Sequence, residues 1–240
     1  MLFLRIALAG LLLASPLLGA AQQTDLGRDK SGNLNGGYEL APADSRDLKG
    51  SPFLVPYWSP ATLRLVGAPA ATPATLKYDV LKQELRARRP QGDSVIVPLA
   101  KVQEFTLTGT GAPRRFISYP SAGLPPELAG TCAEVLADGT HAQLLKVWHK
   151  NLVKQAGENN GYASARMVSA LEDQTTYYLR WPADNRWTAV RLKRASLEQA
   201  LAGQPAALAA LKARKGGLSS EADVAAAVLA LDPLLTAPTR

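Results

Sequence analysis

The strongest candidate for catalysis in this sequence is a thiol nucleophile with a histidine base. The chain has one cysteine, Cys132, and two histidines, His141 and His149. A nucleophilic thiol needs a base within hydrogen-bond reach. A hairpin turning at Asp138 and Gly139 sets Cys132 four positions from His141, roughly 13 Å at about 3.3 Å per residue. Proton transfer does not cross that distance, so we interpret Cys132 as a small buried residue of a strand.

The other recurrent catalytic patterns are missing. The sequence has no G-x-S-x-G, H-E-x-x-H, P-loop, C-x-x-C or S-x-x-K motif. With only two histidines and one cysteine in the chain, most recurrent sets of zinc ligands are excluded. We therefore predict no catalytic residue, no cofactor and no metal ligand.

Carboxylate pairs are the remaining route to hydrolysis. Glu104 with Asp93, and Glu172 with Asp173, are examples, and two facing carboxylates can hydrolyse glycosides. Most soluble proteins offer such pairs, so the pattern favours solvated surface residues. A hydrolase that uses carboxylates not identifiable from the sequence stays open as the alternative function.

The run from Gly109 to Gly111, followed by Arg114 and Arg115, contains the residue types of an anion cradle. Phosphate-binding loops normally lead directly into a helix N-terminus. No helix pattern follows here, and the sequence favours a loop with exposed arginines.

Basic residues form groups along the chain, and an anionic surface is the partner that such groups predict. Tryptophans 148, 181 and 187 lie near the later groups, and aromatic residues next to cations are used to hold sugars or single-stranded nucleic acid. The opposing interpretation places the tryptophans in the core and the cations on solvated strands. The predicted contacts are Arg86, Arg88, Arg89, Lys146, Lys150, Lys193 and Arg194, with Lys154, Arg186 and Arg191 nearby.

The first 21 residues are typical of a secretory signal peptide. Arg5 precedes an apolar run from Ile6 to Leu18, and Ala20 and Ala21 provide small residues for cleavage. The run is shorter than the roughly 20 residues that span a bilayer. We expect export to the periplasm or the exterior, without a transmembrane segment in the mature chain.

The mature chain is basic and has no internal disulfide. Since Arg5 is the only charge lost on cleavage, the formal net charge falls from +7 to +6, and the precursor's pI near 9.6 favours acidic neighbours. One cysteine in an exported chain means that an ordinary core must stabilise the fold. Residues 22–50 are polar without apolar periodicity, which predicts a flexible leader before a single domain over residues 51–240.

Alternating apolar residues predict strands over most of that domain, to about residue 192. The stretch from Leu76 to Leu107 indicates a small antiparallel meander. Upstream, Pro52, Pro56 and Pro60 exclude a central strand between them and predict an edge strand or an extended plug over the sheet. Further hairpins are expected around 138–139 and 182–185, and the GENNG run at 157–161 indicates a loop.

Short helices follow, within residues 196–232. Ser196 with Gln199 has the spacing of a capping box, Pro205 suits a first helical position, and Ser220 with Asp223 opens a last helix. Strands first and helices last predict an α+β domain, an antiparallel β-meander with hairpins followed by a C-terminal cluster of short α-helices.

Short segments across residues 50 to 235 carry a resemblance. LKYDV, QEL, GDSVIV, VQEFTL, EVLADG, YYLR and a closing V-x-LKR-x-SL with a SEAD helix start resemble a group of exported proteins of unknown function from Bacteroidota. The resemblance implies export and the layout of strands before helices. It brings no activity, cofactor or site residue.

These observations together predict an exported, non-catalytic binding or structural module. Its expected partner is an envelope protein or an anionic polysaccharide or lipid. Nucleic acid is disfavoured, because an exported protein meets little of it.

Overall fold

The computed structural model describes residues 49–109, 111–119, 125, 128–156 and 167–236. A ten-stranded antiparallel sheet precedes three helices, which confirms the α+β class. The strands are β1 (Ser59–Leu65), β2 (Thr72–Asp79), β3 (Glu84–Arg88), β4 (Ser94–Val97), β5 (Val102–Leu107), β6 (Arg114–Ser118), β7 (Cys132–Asp138), β8 (Gln143–Ala156), β9 (Met167–Trp181) and β10 (Arg186–Val190). The helices are α1 (Arg194–Ala200), α2 (Pro205–Ala213) and α3 (Glu221–Leu231).

The sheet order is β10-β9-β8-β7-β6-β5-β1-β2-β3-β4. The predicted meander is therefore correct for β2, β3 and β4, but β5 leaves it and pairs with β1. In a flat sheet β4 and β5 would lie about 19 Å apart, at about 4.8 Å per strand. Only four residues connect them, and Leu99–Lys101 form a compact 3₁₀ turn. The sheet must curl for so short a connection to join these two strands.

The curl encloses a core on the inner face, which we define as the face carrying Leu63, Tyr78 and Phe116. The Tyr78 ring lies 5.9 Å from the ring of Phe116, although β1 and β5 separate their strands. At the open side of the curl, Gln83 in the β2–β3 turn donates from Nε2 to the carbonyl of Trp148 on β8, at 3.2 Å.

A proline-rich segment covers the opposite, outer face of β2 and β3. Phe53 is buried there, and Pro52 accepts a 2.9 Å hydrogen bond from the backbone of Val80. Phe53 forms an isolated bridge to Asp79 outside any named strand. The segment therefore has features of both predicted alternatives, backbone pairing along β2 and a ring that covers the sheet. The exclusion of a central strand is wrong at Pro60, which is the second residue of β1, between β5 and β2.

The helices cover the inner face at the other end of the sheet. Leu144 of β8 and Leu179 of β9 are fully buried against Leu197 of α1, Leu211 of α2 and Val228 of α3. Within the described residues, no helix is both long and apolar enough to cross a membrane.

Two of the three predicted helix starts are correct. Pro205 occupies the first turn of α2, and Ser220 forms a reciprocal capping box with Asp223. The box predicted at Ser196 is wrong, because α1 already begins at Arg194 and the Ser196 hydroxyl accepts from the backbone of Arg191 instead. Local spacing could not reveal that the helix starts three residues earlier, with Lys193 rather than Ser196 at the N-cap.

The β7–β8 hairpin has a longer loop than predicted. Asp138 pairs with Gln143, so residues 139–142 form the connection. A Cβ on Gly139 would lie 2.5 Å from the carbonyl oxygen of Ala142 and closer still to the Asp232 carboxylate. Glycine is required here by this close approach. β8 also continues to Ala156, beyond the predicted end near His149, and the predicted loop 157–161 lies outside the described residues.

Asp232, just after α3, ties the helices to this loop. Its carboxylate accepts hydrogen bonds from the backbone N–H groups of Thr140, His141 and Ala142 at 2.8, 2.8 and 2.9 Å. Burial pushes the pKa of Asp232 upward, but these donors and the His141 ring outweigh it, and the pKa lies below its ordinary value.

We expect Asp232→Asn to lower the free energy of unfolding by about 2 kcal/mol, because an amide cannot satisfy three donors. A depressed carboxyl pKa contributes stability above the unfolded value near 4 and loses it as the pH falls through the folded value. Urea unfolding should therefore show the difference between wild type and variant at neutral pH, and a smaller difference near pH 3. Glu198→Gln, with the same charge change, is the control. A pH-independent difference would contradict this account.

Candidate functional site

A polar groove of about 510 Å³ lies on the outer face of β1, β5 and β6. Hydroxyl, amide, guanidinium and carboxylate groups meet there on one exposed sheet surface. We call it the outer groove, and its lining residues are Thr62, Arg64, Ala71, Gln103, Glu104, Thr106, Arg115 and Ile117.

A β-bulge in β5 shapes the outer groove. Arg64 pairs with Glu104 and Leu65 with Val102, which leaves Gln103 without a partner on β1. The extra residue lets Gln103 and Glu104, neighbours in sequence, both line the groove. Bulges re-aim side chains in this way and are common next to functional sites.

Two guanidinium groups flank one carboxylate in the groove. Arg64 Nη1 lies 3.8 Å from Glu104 Oε1, and Arg115 Nε lies 3.2 Å from Glu104 Oε2. Among the described residues, Arg64 Nε is buried without a hydrogen-bond partner. The Arg64 side chain is 36% exposed, and its 3.8 Å contact with Glu104 is longer than a hydrogen bond. Its terminal nitrogens therefore retain donor capacity, and a planar guanidinium fork suits a carboxylate or phosphate.

Arg115 is held in place by a carboxylate on the adjacent strand β7. Its Nη1 donates to Asp138 Oδ2 at 2.6 Å. Partial burial pushes the pKa of Asp138 upward, but hydrogen bonds from Arg115 and Gln143 outweigh burial and hold that pKa below its ordinary value. The carboxylate remains charged at neutral pH and fixes one side of the Arg115 fork.

The first predicted basic group does not form one cationic surface. Arg86 is only 6% exposed, lies beneath Phe53 and pairs with Asp79 at 3.4 Å. Arg89 pairs with Asp93, with Nε to Oδ1 at 2.8 Å. Arg88 is exposed at the end of β3. The prediction of Arg86 as a surface contact is wrong, because the proline-rich plug covers its strand face.

The later basic residues are also separated. Lys146 is 7% exposed, and Lys150 is paired with Asp173 on the inner side of β8 and β9. Arg194 donates to the carbonyl oxygens of Arg214 and Gly216, at 2.9 and 2.8 Å, beyond the end of α2. Lys193 is exposed, as are the neighbouring Lys154, Arg186 and Arg191.

Lys146 belongs instead to a cluster between the two cores, which we call the inner polar layer. Its members are Arg114, Glu134, Lys146, Trp148, Tyr177 and Glu221. Glu134 accepts two hydrogen bonds from the Arg114 guanidinium, at 2.7 and 2.8 Å, and one from Trp148 Nε1 at 2.6 Å. Glu221, at the start of α3, accepts from Lys146 at 2.5 Å and from Tyr177 at 2.7 Å. The layer is internally paired and joins α3 to the sheet.

The predicted anion cradle is divided between the two faces. Arg114 and Arg115 are consecutive on β6, so they project to opposite sides of the sheet. Arg114 enters the inner polar layer and Arg115 lines the outer groove. The expectation of a loop with both arginines exposed is therefore wrong. Thr110 of the cradle lies outside the described residues.

Cys132 lies on β7, and the carboxylate pair Glu172 and Asp173 lies on β9. Burial raises the pKa of Cys132 to about 12. In the observed register Cys132 lies opposite Trp148, not Leu145 as predicted, and is therefore further along the strands from His141. Glu172 and Asp173 are consecutive on β9 and project to opposite faces. Among the described residues, no group of three His, Cys, Asp or Glu side chains could hold a metal ion.

Sequence reasoning missed Arg64, Gln103 and the groove role of Glu104. One signal was available in the run Val102-Gln103-Glu104-Phe105, where two polar residues interrupt strict alternation, as at a bulge. The pairing of β5 with β1 was not available, because the two strands are about 40 residues apart and their contact depends on the curl.

Comparison of the chain with protein-family models, curated proteins and solved structures gave no match. The resemblance to exported proteins of Bacteroidota stays a prediction.

We expect Glu134→Ala to lower the free energy of unfolding by about 3 kcal/mol, because it leaves the partly buried guanidinium of Arg114 and the indole N–H of Trp148 without their acceptor. Urea unfolding measures the loss. Glu104→Ala is the matched control on the outer face, where the carboxylate is 27% exposed, and it should cost about 1 kcal/mol or less. Equal losses would contradict a buried role for the inner polar layer.

Cys132 should resist alkylation in the folded chain, since its thiol is fully buried and has a strongly raised pKa. Iodoacetamide at neutral pH should label the native protein only as fast as it unfolds. Addition of urea should make labelling complete. Rapid labelling without urea would show that the thiol is accessible and reactive.

Proposed function

We propose that this chain is an exported, non-catalytic binding module that holds an anionic ligand in the outer groove. The observation that carries the proposal is the pair of arginines around Glu104, of which Arg64 is 36% exposed and lies 3.8 Å from the carboxylate, beyond hydrogen-bond distance. Export rests on the signal-peptide pattern of residues 1–21, which lie outside the described residues.

Electrostatics support an anion. The whole chain is basic. Arg64 and Arg115 line the groove with the single carboxylate of Glu104, while Asp138, outside the lining, pairs with Arg115. Thr62, Thr106 and Gln103 add neutral hydrogen-bonding groups around them. Charge-assisted hydrogen bonds from a planar fork to carboxylate oxygens are stronger than neutral ones.

Geometry supports binding over catalysis. The carboxylate in the groove is Glu104, and it lies between two guanidinium groups. A glycoside hydrolase needs a second carboxyl group whose environment keeps it protonated as the acid. The nearest acidic partner of the groove, Asp138, has a depressed pKa instead.

The test uses polyglutamate as a carboxylated polymer, with affinity measured across a salt series. The double variant Arg64→Gln/Arg115→Gln should weaken binding about tenfold or more, which corresponds to roughly 1.4 kcal/mol. The matched control Arg88→Gln/Lys193→Gln also removes two exposed cations, but outside the groove, and should retain most of the affinity.

Two results would overturn the proposal. Equal weakening by both double variants would mean that net charge alone attracts the polymer. Unchanged binding in the groove variant would mean that the anion binds elsewhere. Far-UV circular dichroism and urea unfolding of both variants exclude a folding defect.

A further inference from the structure

The outer groove opens onto a continuous row of polar side chains that crosses the sheet toward β10. Asp138 of β7 accepts from Gln143 of β8 at 2.6 Å as well as from Arg115. Gln143 in turn accepts from Arg180 of β9 at 2.8 Å. Strand registers match Gln143 with Arg180, and Arg180 with Trp187, so all project from the outer face.

The row ends in a pair of partly exposed aromatic rings. Tyr119 and Trp187 meet edge to face with their centroids 4.9 Å apart. The Arg180 guanidinium lies 4.7 Å from the Tyr119 ring and 5.7 Å from the Trp187 ring. Asn185 accepts from Arg180 Nε at 3.0 Å and from Trp187 Nε1 at 3.3 Å. We call Tyr119, Arg180 and Trp187 the aromatic end.

These contacts hold the aromatic end rigid. Asn185 has a positive φ of 51° at the β9–β10 turn, which brings its carboxamide beneath both donors. Burial raises the pKa of Tyr119 to about 12, so its hydroxyl stays neutral and donates to Gln143 at 3.3 Å. Rings that are fixed before binding lose little entropy when a ligand stacks on them.

We propose that the ligand of the outer groove is a carboxylated polysaccharide, whose sugar rings stack on the aromatic end while its carboxylates bind Arg64 and Arg115. This inference rests on the proposed function of the groove. Four strand spacings of about 4.8 Å separate β6 from β10, so the surface extends roughly 19 Å beyond the groove. An oligosaccharide segment of several rings can cover that length.

The chemistry of the whole surface fits this class of polymer. Three arginines against two carboxylates favour an anion, as Arg64, Arg115 and Arg180 face Glu104 and Asp138. Hydroxyl and amide groups along the surface match the hydroxyls of a sugar, and Tyr and Trp rings supply apolar faces with polar edges. A carboxylated polypeptide would use the cations and leave the rings without a partner.

The test compares polygalacturonate, which has sugar rings and carboxylates, with polyglutamate, which has carboxylates alone. Trp187→Ala should weaken polygalacturonate binding roughly tenfold, in the range found for aromatic stacking platforms. The same variant should bind polyglutamate as wild type does, which also shows that it is folded. Trp187→Phe, which keeps a ring, should restore most of the lost affinity.

The outcomes separate this inference from the proposed function. Wild-type binding to polyglutamate with none to polygalacturonate would overturn the polysaccharide and leave the groove intact, whereas binding to neither would overturn both. Equal weakening of the two polymers by Trp187→Ala would contradict a stacking role. Preference for single-stranded oligothymidylate over polygalacturonate would replace the sugar by nucleic acid.

Discussion

The short connection between β4 and β5 is the constraint on which the rest of the structure depends. Three strands lie between these two in the sheet, yet four residues join them, so the sheet curls and acquires a true inside. That inside receives Tyr78, Phe105 and Phe116, whose rings contact one another across the curl. Because the inner face is closed in this way, every second side chain along each strand projects from the curved outer face.

Curling also explains why the charged residues separate into two populations. Those on the inner face must be paired, because a buried charge without a partner is costly, and the inner polar layer satisfies Arg114, Lys146 and their two glutamates among themselves. Those on the outer face meet water and need only partial pairing. Arg115 pairs there with Glu104 and Asp138, whereas Arg64 lies 3.8 Å from Glu104. The incomplete pairing of Arg64 is what makes the outer groove a candidate binding surface.

The outer surface combines charge with order. Hydrogen bonds run from Arg115 through Asp138, Gln143 and Arg180 to Asn185, which also accepts from Trp187. Each side chain in the row is therefore held by its neighbours before any ligand arrives. A polymer that matches several groups at once gains from such preorganisation, since little rotamer freedom remains to be lost. A single small anion would use only the groove.

The sequence by itself determined the local features of this protein. Alternation predicted the strands, proline spacing predicted an edge strand or plug around Phe53, and the Ser220–Asp223 box marked the start of α3, because each depends on residues a few positions apart. Only the tertiary structure decided which residues share a surface. Arg86 is covered by a segment 30 residues away, Arg114 and Arg115 divide between faces, and the Gln103 bulge exists only against β1. These outcomes depend on strand neighbours chosen by the curl, and no local pattern encodes that choice.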